Sequence, residues 1–159
     1  MNKQTVLEKI IARLSEELAL YNKVARSAHA EATHEQSKPE NKYDTRGLEA
    51  SYLARGQARQ VAELEQSLHE FRGLLGRDFI PSAPVEIGAL VELSAGKERN
   101  FYFIGPRAGG TEVELDGHEI TVITPQSPLG AQLQGHRAGE RLKLDLGGAK
   151  REFRVQSIS

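Results

Sequence analysis

The 159-residue chain has no cysteine, no tryptophan and a single methionine, and its other aromatic residues are five Phe and four Tyr. Without cysteine there is no disulfide framework, no thiol nucleophile and no Cys-based metal site. Long hydrophobic runs are absent as well. Glu8, Lys9 and Arg13 interrupt the N-terminal stretch, so neither a signal peptide nor a membrane span is expected, and a cytoplasmic location is the default. An excess of one charge sign is the third absence. The formal net charge is −1, with 12 basic and 12 acidic side chains in residues 1–80, and 9 and 10 in residues 81–159. A protein that holds nucleic acid by bulk electrostatics carries a basic excess or a basic face. This balance points instead to a protein partner, and Lys38, Lys42, Arg46, Arg55 and Arg59 read as a solvated helix surface.

What is present is a pair of heptad series. Leu7, Ile11, Leu14, Leu18, Tyr21, Ala25, Ala28 and Ala32 step by 4 and 3, as do Ala50, Ala54, Gln57, Val61, Leu64, Leu68, Phe71 and Leu75. That spacing is the seam of a helix packed on a partner helix. Paired in opposite directions (7 with 75, 32 with 50), the positions always sum to 82, which predicts an antiparallel hairpin bending near Asn41. Helix one is expected from Asn2 or Thr5 to His34, and helix two from Asp44 to Leu75, with Asp44 or Thr45 as cap. Thirty or so residues at ~1.5 Å each make an arm of roughly 45 Å. Alanines replace the bulky seam residues toward the bend, so the arm should narrow as it extends. Pro39 blocks helix continuation within the tip, residues 36–44.

Gly76 ends the hairpin (residues 1–76), and a linker at 77–84 containing Pro81 and Pro84 precedes a second domain at 85–159. There the period falls to 2. Val85, Ile87, Ala89, Val91 and Leu93 predict a half-buried strand. Further strands are expected at Asn100–Gly105, Thr111–Leu115, Glu119–Thr124, Arg141–Leu146 and Glu152–Ile158, with turns at Gly109-Gly110, Asp116-Gly117 and Gly147-Gly148. Residues 128–134 leave room for one or two helical turns. The expected class is α+β: an N-terminal antiparallel helical hairpin, then a small β-rich domain.

The segment from Thr121 to Glu140 contains Ser127-Pro128-Leu129-Gly130, a short apolar-faced helix and Gly135-His136-Arg137-Ala138-Gly139-Glu140. It resembles the C-terminal domain of bacterial Gre transcription elongation factors, and the order of parts along essentially the whole chain matches as well. The resemblance implies an FKBP-like second domain and RNA polymerase as the partner, with the hairpin inserted into its secondary channel and RNA or DNA met only indirectly. It nominates Gln126, Ser127 and Pro128 as polymerase contacts. Read locally, Ser127 caps a helix that begins at Pro128.

The family's cleavage-stimulating members carry an Asp and a Glu three residues apart at the tip, followed by Asn. Two such carboxylates help to hold the second Mg2+ of a phosphodiester cleavage site that the polymerase itself supplies. The factor is therefore expected not to be an enzyme, and to hold no metal on its own. Here Glu40-Asn41 matches the Glu-Asn pair, and Ser37 stands where the pattern has Asp. Asp44, four residues after Glu40, is the other candidate carboxylate, and as the bland alternative both are solvated loop side chains. Aligning Tyr52 rather than Tyr43 with the family tyrosine moves the candidates to Asp44 and Glu49. His29 and His34 are five apart, a poor spacing for joint ligation on a helix. Two further readings of the whole chain are an FKBP-like prolyl isomerase bearing a helical arm, and a coiled-coil adaptor. A seam satisfied within one hairpin favours a monomer.

Overall fold

The computed structural model describes residues 1–33 and 46–159. Its elements are α1 (Lys3–Thr33), α2 (Arg46–Arg72), β1 (Leu90–Ala95), β2 (Glu98–Ile104), β3 (Glu112–Leu115), β4 (His118–Ile123), α3 (Pro128–Leu133), β5 (Arg141–Leu146) and β6 (Ala149–Ile158). The class is α+β, as expected: α1 and α2 form the helical hairpin and a mixed sheet follows. Two compact units result, one of Ala12–His69 and the other of Met1–Ile11 with Glu70–Ser159.

In the first unit the 4-3 spacing produces a seam. Leu14 and Leu68 are buried, while Leu18, Tyr21, Gln57, Val61 and Leu64 are half-buried. Gln57 brings an amide into this apolar row, and its Oε1 is buried with no hydrogen-bond partner among the described residues.

The seam expected to run on to Leu75 stops short of it. α2 ends at Arg72, and the chain continues in tighter three-residue bonds, Leu74 N–H to Phe71 O at 3.0 Å and Leu75 N–H to Arg72 O at 3.1 Å. The tighter winding advances the burial by one residue, so Leu74 is buried and Leu75 is 41% exposed.

The second unit is a six-stranded sheet of order β3-β4-β2-β1-β6-β5. The β2–β4 pair is parallel and every other pair antiparallel. Two-residue turns at Asp116-Gly117 and Gly147-Gly148, all four residues at positive φ, close the β3–β4 and β5–β6 hairpins. Alternate residues of a strand face opposite ways. Val91, Leu93, Ile104, Ile123, Leu144, Phe153 and Val155 form the core, together with Leu133 of α3. Phe103 faces the other way and meets Phe71, with ring centroids 6.1 Å apart. Phe71 lies so close to the strand end that a Cβ on Gly105 would come within 2.8 Å of its ring.

The strand expected from Val85 begins later than its alternation suggests. Gly88 has a φ of +94° and its N–H donates to Ile104 O, while Ala89 N–H donates to Glu86 O, so residues 85–89 make a turn and Ile87 is 40% exposed. A glycine at positive φ breaks the period-2 geometry on which the apolar pattern was read.

Candidate functional site

Helix α3 is six residues long, too short to be stable alone, so neighbours must hold it at several points. At its start Ser127 is the N-cap, with φ −68° and ψ 154°. The Ser127 hydroxyl donates to Thr124 O at 2.7 Å and accepts from Gly130 N–H at 3.1 Å. Pro128 follows at the first helical position, where a missing N–H costs nothing. The turn is tight enough that a Cβ on Gly130 would lie 1.9 Å from Thr124 O, so no side chain fits there.

At its end the helix is tied to the chain that enters the domain. Gly135 N–H donates to Val85 O at 3.0 Å, and Val85 N–H to His136 O at 2.7 Å. The Arg137 guanidinium donates to Ser82 O, which fastens the 77–84 segment to the same corner. His136 Nδ1 and Glu140 Oε2 are 2.6 Å apart. That contact, together with the Arg137 backbone N–H, holds the Glu140 carboxyl below the usual carboxylate range.

Along its flank α3 is held by Gln132. Its Oε1 accepts from Asp145 N–H at 2.9 Å, and its Nε2 donates to Pro128 O at 3.0 Å and to Asp145 O at 3.4 Å.

Of the residues nominated from the sequence, Gln126, Ser127 and Pro128 lie together at the start of α3. Gln126 and Pro128 are exposed and Ser127 is half-buried in its cap. The surface they offer is small and rigidly mounted, with one exposed polar side chain, Gln126, beside the Pro128 ring. Glu40, Asn41 and Asp44 lie outside the described residues, as do Ser37 and His34. Among the described residues no group of three or more His, Asp or Glu is arranged to hold a metal ion. No helix among them is long and apolar enough to cross a membrane.

Sequence reasoning missed the Gln132 tether and the fastening of 82–85 to α3. The first carries no local signal, because its partner lies 13 residues away across a turn. The second carries none either, because Arg137 and Ser82 lie 55 residues apart.

Comparison with known proteins then assigns the family. Over 123 residues the chain is 31% identical to the transcription inhibitor protein Gfh1 of Thermus thermophilus, covering 73% of this chain and 72% of that protein. The chain belongs to the Gfh1 family of Gre-like transcription factors. The Gfh1 of Thermus aquaticus, also a transcription inhibitor protein, is 29% identical over 123 residues, or 73% of this chain and 71% of that one. The crystal structure of Gfh1 from Thermus thermophilus, described as a GreA factor homolog, aligns with 98% of this chain and 94% of its own, at 25% identity and a TM-score of 0.40. That of Thermus aquaticus Gfh1 aligns with 92% of each chain, at 28% identity and a TM-score of 0.40. No protein-family model matches the chain.

Proposed function

We propose that this chain is an RNA polymerase-binding regulator of transcription that restrains elongation by placing its hairpin in the secondary channel of the enzyme. The observation that carries this reading is the 31% identity over 123 residues to a transcription inhibitor. The rigid Gln126–Pro128 surface supports it, because a small patch whose backbone is already ordered loses little entropy on docking.

The tip composition favours restraint over cleavage. A second Mg2+ at a phosphodiester cleavage site is held by carboxylate oxygens, and Ser37 offers a neutral hydroxyl where the Gre pattern has Asp. Glu40 and Asp44 leave this donor set one charge short in that position, and no cleavage step is assigned to them. The protein would then be a monomeric cytoplasmic factor without enzymatic activity of its own. The prolyl isomerase alternative needs an aromatic-lined pocket, whereas Phe103 and Phe153 are spent in the core at 0% and 1% exposure.

The test is elongation by core RNA polymerase on a template that causes backtracking, with and without the full chain. We expect slower elongation and no shortening of the transcript. Rapid shortening that disappears in Glu40→Ala and Asp44→Ala would overturn the non-cleaving form. Failure of core polymerase to retain the chain in a pull-down would overturn the reading altogether.

A further inference from the structure

We infer that Gln132 is a positioning residue for the Gln126–Pro128 surface, setting how α3 stands on the sheet edge; this rests on reading that surface as the polymerase contact. β5 is an edge strand, the last in the order β3-β4-β2-β1-β6-β5. Its pairing with β6 alternates. Val155 N–H donates to Glu140 O, which starts the bonded set at Glu140 and carries it through Leu142, Leu144 and Leu146. The N–H and C=O groups of Arg141, Lys143 and Asp145 therefore point away from β6. At Asp145 both outward groups are met by one side-chain amide, Gln132 accepting with Oε1 and donating with Nε2. Gln132 thus takes the place of a neighbouring strand for one residue.

The same amide nitrogen also reaches Pro128 O, at the exposed start of the helix. One group therefore joins the sheet edge to the proposed contact residue itself. Other anchors of α3 fix different degrees of freedom. Ser127 fixes where the helix begins, and buried Leu133 fixes its depth. Rotation of the helix about its own axis, which would swing Pro128 and Gln126 across the surface, is opposed at the far end by Leu133 in the core and by the Gly135–Val85 and Val85–His136 bonds. At the exposed flank, beside Pro128, the lateral bonds from Gln132 to β5 oppose it.

The test measures binding of the full chain to core RNA polymerase for wild type, Gln132→Met, Gln132→Glu, Gln126→Ala with Pro128→Ala, and the combination of that double variant with Gln132→Met. Gln132→Met keeps length and shape but removes all three bonds. Gln132→Glu keeps the acceptor for Asp145 N–H and loses the donor. We expect Gln132→Met to weaken binding about five- to tenfold, as for one or two net hydrogen bonds. Gln132→Glu should weaken binding at least as much, because its second carboxylate oxygen faces Pro128 O and Asp145 O, where the amide donated.

In the Gln126→Ala/Pro128→Ala background the effect of Gln132→Met should vanish, because a residue acting through a surface has no effect once the surface is gone. A loss that persists undiminished in that background would overturn the inference, marking Gln132 as a general stabiliser. Wild-type binding by Gln132→Met, with weakened binding by Gln126→Ala/Pro128→Ala, would overturn the inference alone. Wild-type binding by every variant would overturn the contact reading and the inference with it. If Gln132→Met proves too unstable to assay, Gln132→Glu carries the same comparisons.

Discussion

Replacing Gly130 with alanine poses a question on which two physical effects disagree in sign. In an ordinary exposed helix Gly→Ala stabilises by about 1 kcal/mol, because alanine loses less backbone entropy on folding. At Gly130 the added Cβ would lie 1.9 Å from Thr124 O and 2.7 Å from Thr124 C, both backbone atoms that cannot rotate aside. Relief requires the helix start to move, and that breaks the hydroxyl bonds of Ser127 to Thr124 O and Gly130 N–H. Overpacking of this kind costs about 1–3 kcal/mol or more, and a lost cap about 1 kcal/mol. After the propensity gain the net is a destabilisation of about 1–3 kcal/mol, or roughly 2–12 °C in melting temperature for a chain of this size. Gly56 in α2 is the internal control, since it is exposed and a Cβ there meets nothing within 4 Å. Gly56→Ala should be stabilised by about 1 kcal/mol. Urea unfolding of both full-length variants, followed by far-UV circular dichroism, measures the two signs. A Gly130→Ala chain as stable as wild type would refute the close approach on which the site is built.

Three other outcomes follow from the same geometry. Ser127→Ala should lose about 1–2 kcal/mol in denaturant unfolding, and Ser127→Asp less, because Asp also caps. Phe103→Ala should lose about 3–5 kcal/mol, since the ring is 0% exposed and packs on Phe71; a loss under about 1 kcal/mol would mean the two rings do not share a core. Glu98, bonded to Arg151 at 2.7 Å and to Asn100 at 3.1 Å, is held below the ordinary carboxylate range. Its folded pKa is the lower one, so the stabilisation is present above the unfolded pKa and is lost as pH falls through the folded value. Carboxyl carbon NMR should show Glu98 titrating low in wild type and closer to the ordinary value in Arg151→Gln.

The parts of the fold that the sequence made legible are those set by local period and cap chemistry. The 4-3 series announced the hairpin, and Ser127-Pro128 announced a helix start that the structure places at those residues. Errors arose where local geometry changed without a change in pattern. Leu75 continued the heptad in sequence, but the tighter winding after Arg72 buried Leu74 instead. Val85 to Ala89 continued the strand alternation, but Gly88 turns the chain there. The strand order could not be read, because the parallel pairing of β2 with β4 is decided by packing across the whole domain. Gln132 was invisible for the same reason: its meaning lies in Asp145, on the far side of a turn.

The position of β1 between β2 and β6 has a consequence for how the chain is made. β2 follows β1 after a two-residue turn, so that edge is covered almost at once. The other edge waits for β6, with β3, β4, α3 and β5 synthesised in between. During that interval a nascent chain carries a bare strand edge with Val91 and Leu93 unpaired on it, the kind of surface to which a second nascent chain can add. Ribosomes translating one message in close succession therefore hold several such edges near each other. The yield of soluble protein should depend on how quickly residues 94–158 are translated, a property set by codon choice as much as by the stability of the finished sheet.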